Sequence, residues 1–327
     1  MLQDAYGRTI RDLRISVTDR CNYRCFYCKP VHSQKLTYRA GIMTYEEIIR
    51  LANVFVHLGV NKLRITGGEP TIRRELPFLL KELASIPGVD DLAMTTNAHF
   101  LAKQAQMLKD TGLHRLTVSL DSLRQDRFKE VTGVDGLKKV LHGIEVAQQV
   151  GFDPIKINVV VIRDVNDDEL LDFAHYARET GNIVRFIEFM PLDADKQWDH
   201  KRVVTQAEML QRLQEIETLE PINRSYTSET ANKFRFADGK GEIGIIASVS
   251  AMFCGQCSRM RLTADGKLRP CLFSEKEYDI LSVMRAGCSD EELIDKIAEI
   301  TKLKEAGHRI NDPNYTYPEQ SMSSIGG

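Results

Sequence analysis

The stretch LRISVTDRCNYRCFYCKP (residues 13–30) joins a run of branched apolar residues to a loop with three cysteines. Its first part, LRISVT (13–18), has the composition of a buried strand. Cys21, Cys25 and Cys28 follow directly, in the spacing Cys-x-x-x-Cys-x-x-Cys. In α/β folds with parallel strands, active sites lie beyond the carboxyl ends of the strands. The stretch therefore predicts a strand that ends at a chemically active loop.

The same order of strand and then helix repeats along the first part of the chain. A helix-like segment such as TYEEIIRLANVFVHLGV (44–60), with apolar residues at three- and four-residue spacing, follows each β-like run. The repeat predicts a parallel sheet, either doubly wound or a barrel of six units, and periodicity alone does not choose between the two. The further β-like runs are LRIT (63–66), LAMTTN (92–97), RLTVSLD (115–121), IKINVVVI (155–162) and VRFIEFM (184–190).

The pattern changes after Pro191. The segment 205–216 predicts a helix with Thr205 as its N-cap, 220–272 has short β-like runs broken by glycines, and 290–304 predicts an amphipathic helix. We therefore expect one domain of repeated strand–helix units over residues 1–219 and a smaller C-terminal region over 220–327.

Composition limits the classes of function. The 44 Lys and Arg against 46 Asp and Glu leave a formal charge of −2, which does not favour nucleic acid as a partner. The N-terminus lacks the apolar region of a signal peptide, and we find no apolar run long enough for a membrane span, so a cytoplasmic protein is expected. Six of the seven cysteines fall into two tight groups, which indicates metal binding and not a disulfide framework.

The first group, Cys21, Cys25 and Cys28, offers three thiolates on one short loop. Thiolates suit zinc or an iron–sulfur cluster. A zinc knuckle would need a fourth ligand nearby, whereas a cluster held by three cysteines keeps one iron open. The spacing favours the open cluster, with zinc as the alternative.

The second group, Cys254, Cys257 and Cys271, lies within MFCGQCSRMRLTADGKLRPCLF (252–273). It again has three thiols without an adjacent fourth, so a three-ligand cluster is favoured over a zinc ribbon. Cys288 has no partner in the sequence, and we interpret it as a small apolar residue.

The first cysteine spacing, with the aromatic Tyr27 before the last cysteine, resembles the radical S-adenosylmethionine (SAM) superfamily. The resemblance favours an incomplete (β/α)6 TIM-type barrel and implies that a [4Fe-4S] cluster binds and cleaves SAM. It also implies SAM contacts by Tyr27, by Gly68 in Gly67-Gly68-Glu69-Pro70, by Ser119 and by Met190. Ser119 could instead be a hydroxyl that satisfies the backbone, and Met190 a core residue. Ala98 stands where the family usually has glycine.

With both cysteine groups, the whole chain resembles the molybdenum-cofactor biosynthesis protein A family, the GTP 3′,8-cyclases. The resemblance implies a second [4Fe-4S] cluster that binds guanine, a terminal Gly326-Gly327 that reaches the active site, and hydrogen removal from ribose C3′ followed by attack on guanine C8. Its partners would be GTP, an external electron donor, a downstream cyclic pyranopterin monophosphate synthase and a second copy of the chain. The implied GTP-binding residues are Arg14, Arg64, Thr95, Lys156, Arg185, Arg259 and Arg261.

Several of these cations lie in strands that have the composition of buried ones. Charged side chains inside a barrel need acidic partners or an anionic ligand. Arg259 and Arg261 alternate along one strand and would share a face. Two other functions remain open at this point: a peptide-modifying radical SAM enzyme with an auxiliary cluster, and a zinc protein that binds nucleic acid through its arginines.

Overall fold

The computed structural model describes residues 1–28, 39–192, 198–312, 315 and 322–326. The strands are β1 (Asp12–Ser16), β2 (Lys62–Thr66), β3 (Asp91–Thr96), β4 (Arg115–Ser119), β5 (Lys156–Val161), β6 (Ile183–Glu188), β7 (Leu219–Ile222), β8 (Asn232–Phe236), β9 (Glu242–Ile246), β10 (Arg259–Leu262), β11 (Lys267–Arg269) and β12 (Tyr278–Asp279). The helices are α1 (Tyr45–His57), α2 (Leu76–Ser85), α3 (Leu101–Asp110), α4 (Gln125–Thr132), α5 (Leu137–Gln149), α6 (Leu170–Thr180), α7 (Gln206–Leu213), α8 (Leu281–Arg285), α9 (Asp290–Lys302) and α10 (Met322–Ile325).

One sheet contains all of these strands, in the order β12-β11-β10-β1-β2-β3-β4-β5-β6-β9-β8-β7. The strands β1 to β6 are parallel, each paired with the next. All six predicted strands are therefore found within two residues of their predicted bounds. The incomplete barrel predicted for this chain is confirmed.

The C-terminal region extends the barrel at both edges, which the sequence did not predict. Strand β10 pairs in parallel with β1, and β9 pairs in parallel with β6. Antiparallel strands β11 and β12 then follow on one side, and β8 and β7 on the other. Cys254 and Cys257 come just before β10, and Cys271 comes just after its neighbour β11, so the second cysteine group lies near the first strand.

Local signals explain where the helices begin. Thr44 and Glu47 form a reciprocal capping box at the start of α1, and Thr205 and Glu208 form one at α7. The N-cap predicted at Thr205 is confirmed. The apolar faces of the helices pack on the sheet around core residues such as Leu13, Ile65 and Phe186. Among the described residues, no helix combines the length and the apolar character that crossing a bilayer requires.

Candidate active site

One large cavity at the carboxyl ends of the strands is lined by all six clustered cysteines. Cys21, Cys25 and Cys28 follow β1, and all three are partly exposed and free of disulfides. Burial and the neighbouring Cys28 and Asp121 raise the pKa of the Cys25 thiol well above its ordinary value. A thiolate there needs a cation to stabilise it, which fits the metal-binding role predicted for this loop.

The glycine turn after β2 packs directly against the first cysteine loop. The amide of Gly68 donates to the carbonyl of Thr18 (2.6 Å), and the amide of Glu69 donates to the carbonyl of Arg20 (2.8 Å). A Cβ atom on Gly68 would lie 2.2 Å from that Arg20 oxygen. Only glycine therefore allows the two loops to approach so closely, and Gly68, the predicted SAM contact, lines the cavity.

Glu69 organises this turn, a role that the sequence analysis missed. Its buried carboxylate accepts hydrogen bonds from the hydroxyl of Thr71 (2.5 Å), the hydroxyl of Thr96 (2.7 Å) and the amide of Asn97 (2.7 Å). Asn97 in turn places its side-chain amide 3.8 Å from the sulfur of Cys21. The carboxylate thus connects strand β3 to the cysteine loop.

Asp121 holds the predicted SAM-contacting Tyr27 and was also missed. The Tyr27 hydroxyl donates to Oδ2 of Asp121 (2.5 Å), and the amide of Val160 donates to Oδ1 (2.9 Å). Burial raises the pKa of the Asp121 carboxyl to about 6. Asp121 ends the segment RLTVSLD, and its position just after a strand was the available signal.

Three further predicted residues, Ser119, Thr95 and Met190, line the same cavity. Ser119 is the last residue of β4, and Thr95 lies near the end of β3. The structure therefore brings these side chains together with both cysteine groups.

The second cysteine group faces the first across the cavity. Cys254 and Cys257 flank a single turn before β10, and Cys271 follows β11. Burial opposes ionisation of the Cys257 thiol, but the nearby charges of Arg259, Lys304 and Arg8 lower its pKa to about 7.

Arg261, Arg14 and Arg64 form a row of three cations across the sheet. Arg14 is the register partner of Arg261 on β10 and of Arg64 on β2, and all three line the cavity. Among the described residues none of them forms a salt bridge with a carboxylate. Burial, followed by the charges of neighbouring cations, lowers the pKa of Arg14. Adjacent cations that are buried or half-buried repel each other, so the row indicates that an anion binds here.

Arg185 and Lys156 extend this row on the other side of the barrel. Arg185 donates to the hydroxyl of Thr117 (3.3 Å), while its buried Nε has no partner among the described residues. Burial and the charge of Arg64 lower the pKa of Arg185 to about 9, and burial and the charge of Arg185 lower that of Lys156 to about 8. We call Arg14, Arg64, Lys156, Arg185, Arg259 and Arg261 the cation layer.

The loop between β7 and β8 lies beneath the cation layer, at the amino ends of the strands. The Ser228 carbonyl accepts a hydrogen bond from Arg259 (3.0 Å), and the Tyr226 ring packs on the Lys62 ammonium at 3.6 Å. The cation layer therefore lies between the cysteine-lined cavity and this loop.

The C-terminal tail enters the barrel. Gly326 is buried, has a φ of +78° and accepts a hydrogen bond through its carbonyl from Arg261. Gly326, which is expected to reach the active site, contacts an arginine of the cation layer, whereas Gly327 lies outside the described residues. Cys288 lies away from the cavity, where it packs against the core between α8 and α9.

Two family models together match most of the chain. The Radical SAM superfamily model matches residues 15–177, and the model described as Molybdenum Cofactor Synthesis C matches residues 182–310. Both cysteine groups lie within these matches.

Curated relatives match the full length. The chain is 44% identical to a GTP 3′,8-cyclase of Rhodopirellula baltica, across 100% of this chain and 92% of that protein. It is 42% identical to a GTP 3′,8-cyclase of Moorella thermoacetica, across 100% of both chains.

Solved structures share the fold at low sequence identity. Streptococcus suis SuiB bound to its precursor peptide SuiA has a TM-score of 0.63 at 17% identity, over 98% of this chain and 77% of that one. The anSMEcpe structure with bound AdoMet has a TM-score of 0.60 at 15% identity, over 95% of this chain and 93% of that one.

Proposed function

Because this chain belongs to the GTP 3′,8-cyclase family of the radical SAM superfamily, we propose that its cavity converts GTP to (8S)-3′,8-cyclo-7,8-dihydroguanosine 5′-triphosphate. This is the first step of molybdenum-cofactor biosynthesis. The observation that carries the proposal is that one cavity is lined by two cysteine trios and by every member of the cation layer except Lys156, with no salt bridge to these cations among the described residues. A nucleoside triphosphate supplies the anion that the cations lack.

The residues present fit two [4Fe-4S] clusters. Each trio exposes its sulfurs to the cavity, and three thiolates leave one position of a cluster open. Cys21, Cys25 and Cys28 would hold the SAM-binding cluster, and Cys254, Cys257 and Cys271 the second one. When bound, the first cluster supplies the electron that cleaves SAM and so starts hydrogen removal from C3′ of GTP.

The chain itself positions the two small molecules. Tyr27, Gly68, Ser119 and Met190 surround the space beside the first cysteine trio, where SAM would bind. The cation layer and Thr95 would hold the triphosphate deeper in the barrel, which turns the ribose toward SAM. Because ring closure joins two atoms of one nucleotide, the rate depends on holding them near attack distance and on excluding water.

The tail completes this proposed site. Gly326 contacts Arg261 of the cation layer, so the terminal Gly326-Gly327 would lie beside the bound nucleotide.

We further propose a barrel domain over residues 1–219 and a C-terminal region over 220–327, an external electron donor and a homodimer. The product would pass to a cyclic pyranopterin monophosphate synthase, and seven free thiols suit a reducing compartment such as the cytoplasm.

The test is anaerobic incubation of iron- and sulfide-reconstituted protein with dithionite, SAM and GTP. We expect 5′-deoxyadenosine and the cyclised nucleotide in equal amounts. Cleavage of SAM without a cyclised nucleotide would remove GTP as the substrate and favour another radical SAM reaction, such as peptide modification. Zinc in place of iron in anaerobically purified protein would contradict the whole proposal.

Two cysteine variants test whether loss of turnover comes from loss of the second cluster or from replacing any cysteine. Cys271→Ser removes one proposed ligand and should abolish cyclisation with a loss of about four iron atoms per chain. Cys288→Ser changes a cysteine that packs against the core and should keep both iron content and turnover.

A further inference from the structure

A buried lysine connects the two segments that carry the second cysteine trio. Lys304 follows α9, and only 3% of its surface is exposed. Its Nζ donates to the carbonyl of Arg259 (2.9 Å) and to the carbonyl of Pro270. Arg259 lies two residues after Cys257, and Pro270 immediately precedes Cys271. One ammonium group therefore holds both segments in place.

Arg8 makes a similar connection on the other side of the trio, but its charge is balanced. Its guanidinium donates to the carbonyls of Cys254 (2.8 Å) and Glu305 (2.5 Å). Its Nε also forms a buried salt bridge with Asp4 at 2.5 Å. The pair Asp4–Arg8 thus fixes the backbone of Cys254 without adding a net charge.

Lys304 has no such carboxylate. Within the described ranges it forms no salt bridge, and both of its hydrogen-bond acceptors are neutral carbonyls. A buried ammonium group without a counterion is costly. It lines the same cavity as the three cysteines of the second trio. The three cysteine thiolates and the group that they bind would supply the negative charge that balances Lys304.

We propose that Lys304 is a positioning residue for the second cluster, and that its ammonium group is the counter-charge that raises the cluster's reduction potential. The inference rests on the second cluster of the proposed function. A [4Fe-4S] core with three thiolates is net negative and gains one more negative charge on reduction. A fixed cation beside it stabilises the reduced state more than the oxidised state.

The test measures the midpoint potential of the second cluster alone. The full chain with Cys21→Ala, Cys25→Ala and Cys28→Ala retains only the second trio, and its cluster is titrated anaerobically with mediators and followed by electron paramagnetic resonance. Lys304→Gln keeps a hydrogen-bond donor but removes the charge. We expect its equilibrium constant for reduction to fall about tenfold, which is about 59 mV for one electron. Lys302→Gln removes an exposed charge from the last turn of α9 and should leave the potential unchanged.

The outcomes separate this inference from the proposed function. A Lys304→Gln protein with full iron content and the parent's potential would overturn the role of the charge. If Lys304→Gln instead loses iron, the iron content of Lys304→Arg is compared with it. Retention of the cluster by Lys304→Arg supports the need for a cation at this position. Equal loss of iron in both variants overturns that need. If the parent triple variant binds no cluster while the wild-type chain carries only one, the second cluster of the proposed function fails.

Discussion

The Nη1 atom of Arg261 donates a hydrogen bond to the backbone carbonyl of Gly326, although 65 positions separate the two residues. Arg261, which is buried, stands in a row with the half-buried Arg14 and Arg64 that crosses β10, β1 and β2. The contact therefore brings the end of the chain to the proposed triphosphate site. Within the described part of the tail, Met322 lines the cavity and Gly326 contacts Arg261, which also lines it.

A methyl group at position 326 should displace the tail. Gly326 has a φ of +78°, and a Cβ there would lie 2.9 Å from Oγ1 of the buried Thr66. Because a misplaced group near the reacting atoms can cost about 10²-fold in rate, we expect Gly326→Ala to lower cyclisation by roughly that factor. The measurement is the yield of cyclised nucleotide per chain under single-turnover conditions, at equal iron content.

Gly239→Ala is the matched control for this change. Gly239 has nearly the same φ, +79°, but a Cβ there would meet no atom within 4 Å. The control carries the same backbone strain, worth about 1 kcal/mol, without the steric contact, and should keep full turnover. Parent-like turnover in Gly326→Ala would show that the tail does not act in the site.

A methyl group on Gly68 should disrupt the first cysteine loop. The added Cβ would lie 2.2 Å from the Arg20 carbonyl oxygen and 3.0 Å from the Cys21 amide nitrogen. Both are backbone atoms, so the clash moves the loop itself. We expect Gly68→Ala to lose the iron of the first cluster, and with it SAM binding, while the second cluster remains. Iron content and equilibrium dialysis with labelled SAM measure the two effects.

Gly181→Ala serves as the comparison, because a Cβ at Gly181, which ends α6, would meet no atom within 4 Å. It should retain iron and SAM. Full SAM binding by Gly68→Ala would mean that the turn is not packed on the cysteine loop as described.

The strands β1 to β6 could be predicted because each depends on a short local run of branched residues. The edge strands could not, since the pairing of Arg259–Leu262 with Asp12–Ile15 joins the two ends of the chain. The cysteines were predicted from their spacing for the same local reason. Glu69, Asp121 and Lys304 were missed because their roles depend on contacts from distant segments.

Ala98 adopts a backbone conformation that glycine usually provides. The sequence has alanine where the family usually has glycine, and the structure gives Ala98 a φ of +59°, in the left-handed region that glycine prefers. The buried methyl group packs in the core at this position. The loop thus keeps the left-handed conformation despite the substitution.

Asp121 should make SAM binding depend on pH. Burial raises the pKa of its carboxyl to about 6, so the group is neutral below that value and charged above it. The charged carboxylate lines the cavity and attracts the sulfonium cation, so SAM affinity should rise as pH increases through 6. A fall of one pKa unit on binding corresponds to a rise in affinity that approaches about tenfold from pH ~4 to pH ~7.

Asp121→Asn should abolish this dependence, with the affinity fixed near the low-pH value. Asp172→Asn, at an exposed aspartate on α6, should keep the parent's profile. Equilibrium dialysis across the pH range gives both curves, and a step near pH 6 that persists in Asp121→Asn would assign the titration to another group.

Removing Arg185 should weaken GTP binding and stabilise the free protein at the same time. Its guanidinium faces Arg64 without a carboxylate partner among the described residues, and burial followed by that repulsion lowers its pKa to about 9. Replacing a half-buried cation that has no salt bridge among the described residues with an apolar side chain of similar volume relieves both costs, so we expect Arg185→Met to gain about 1–2 kcal/mol of stability without ligand. Loss of a cation from the proposed triphosphate site should raise the GTP dissociation constant at least about tenfold, since a charge-assisted hydrogen bond is lost.

Anaerobic thermal melts at one scan rate measure the stability of Arg185→Met, and dialysis measures its GTP affinity. Arg235→Met, at an exposed arginine, is the control and should alter neither quantity. A lower melting temperature together with unchanged GTP affinity would mean that Arg185 is a structural cation whose partner is not the nucleotide.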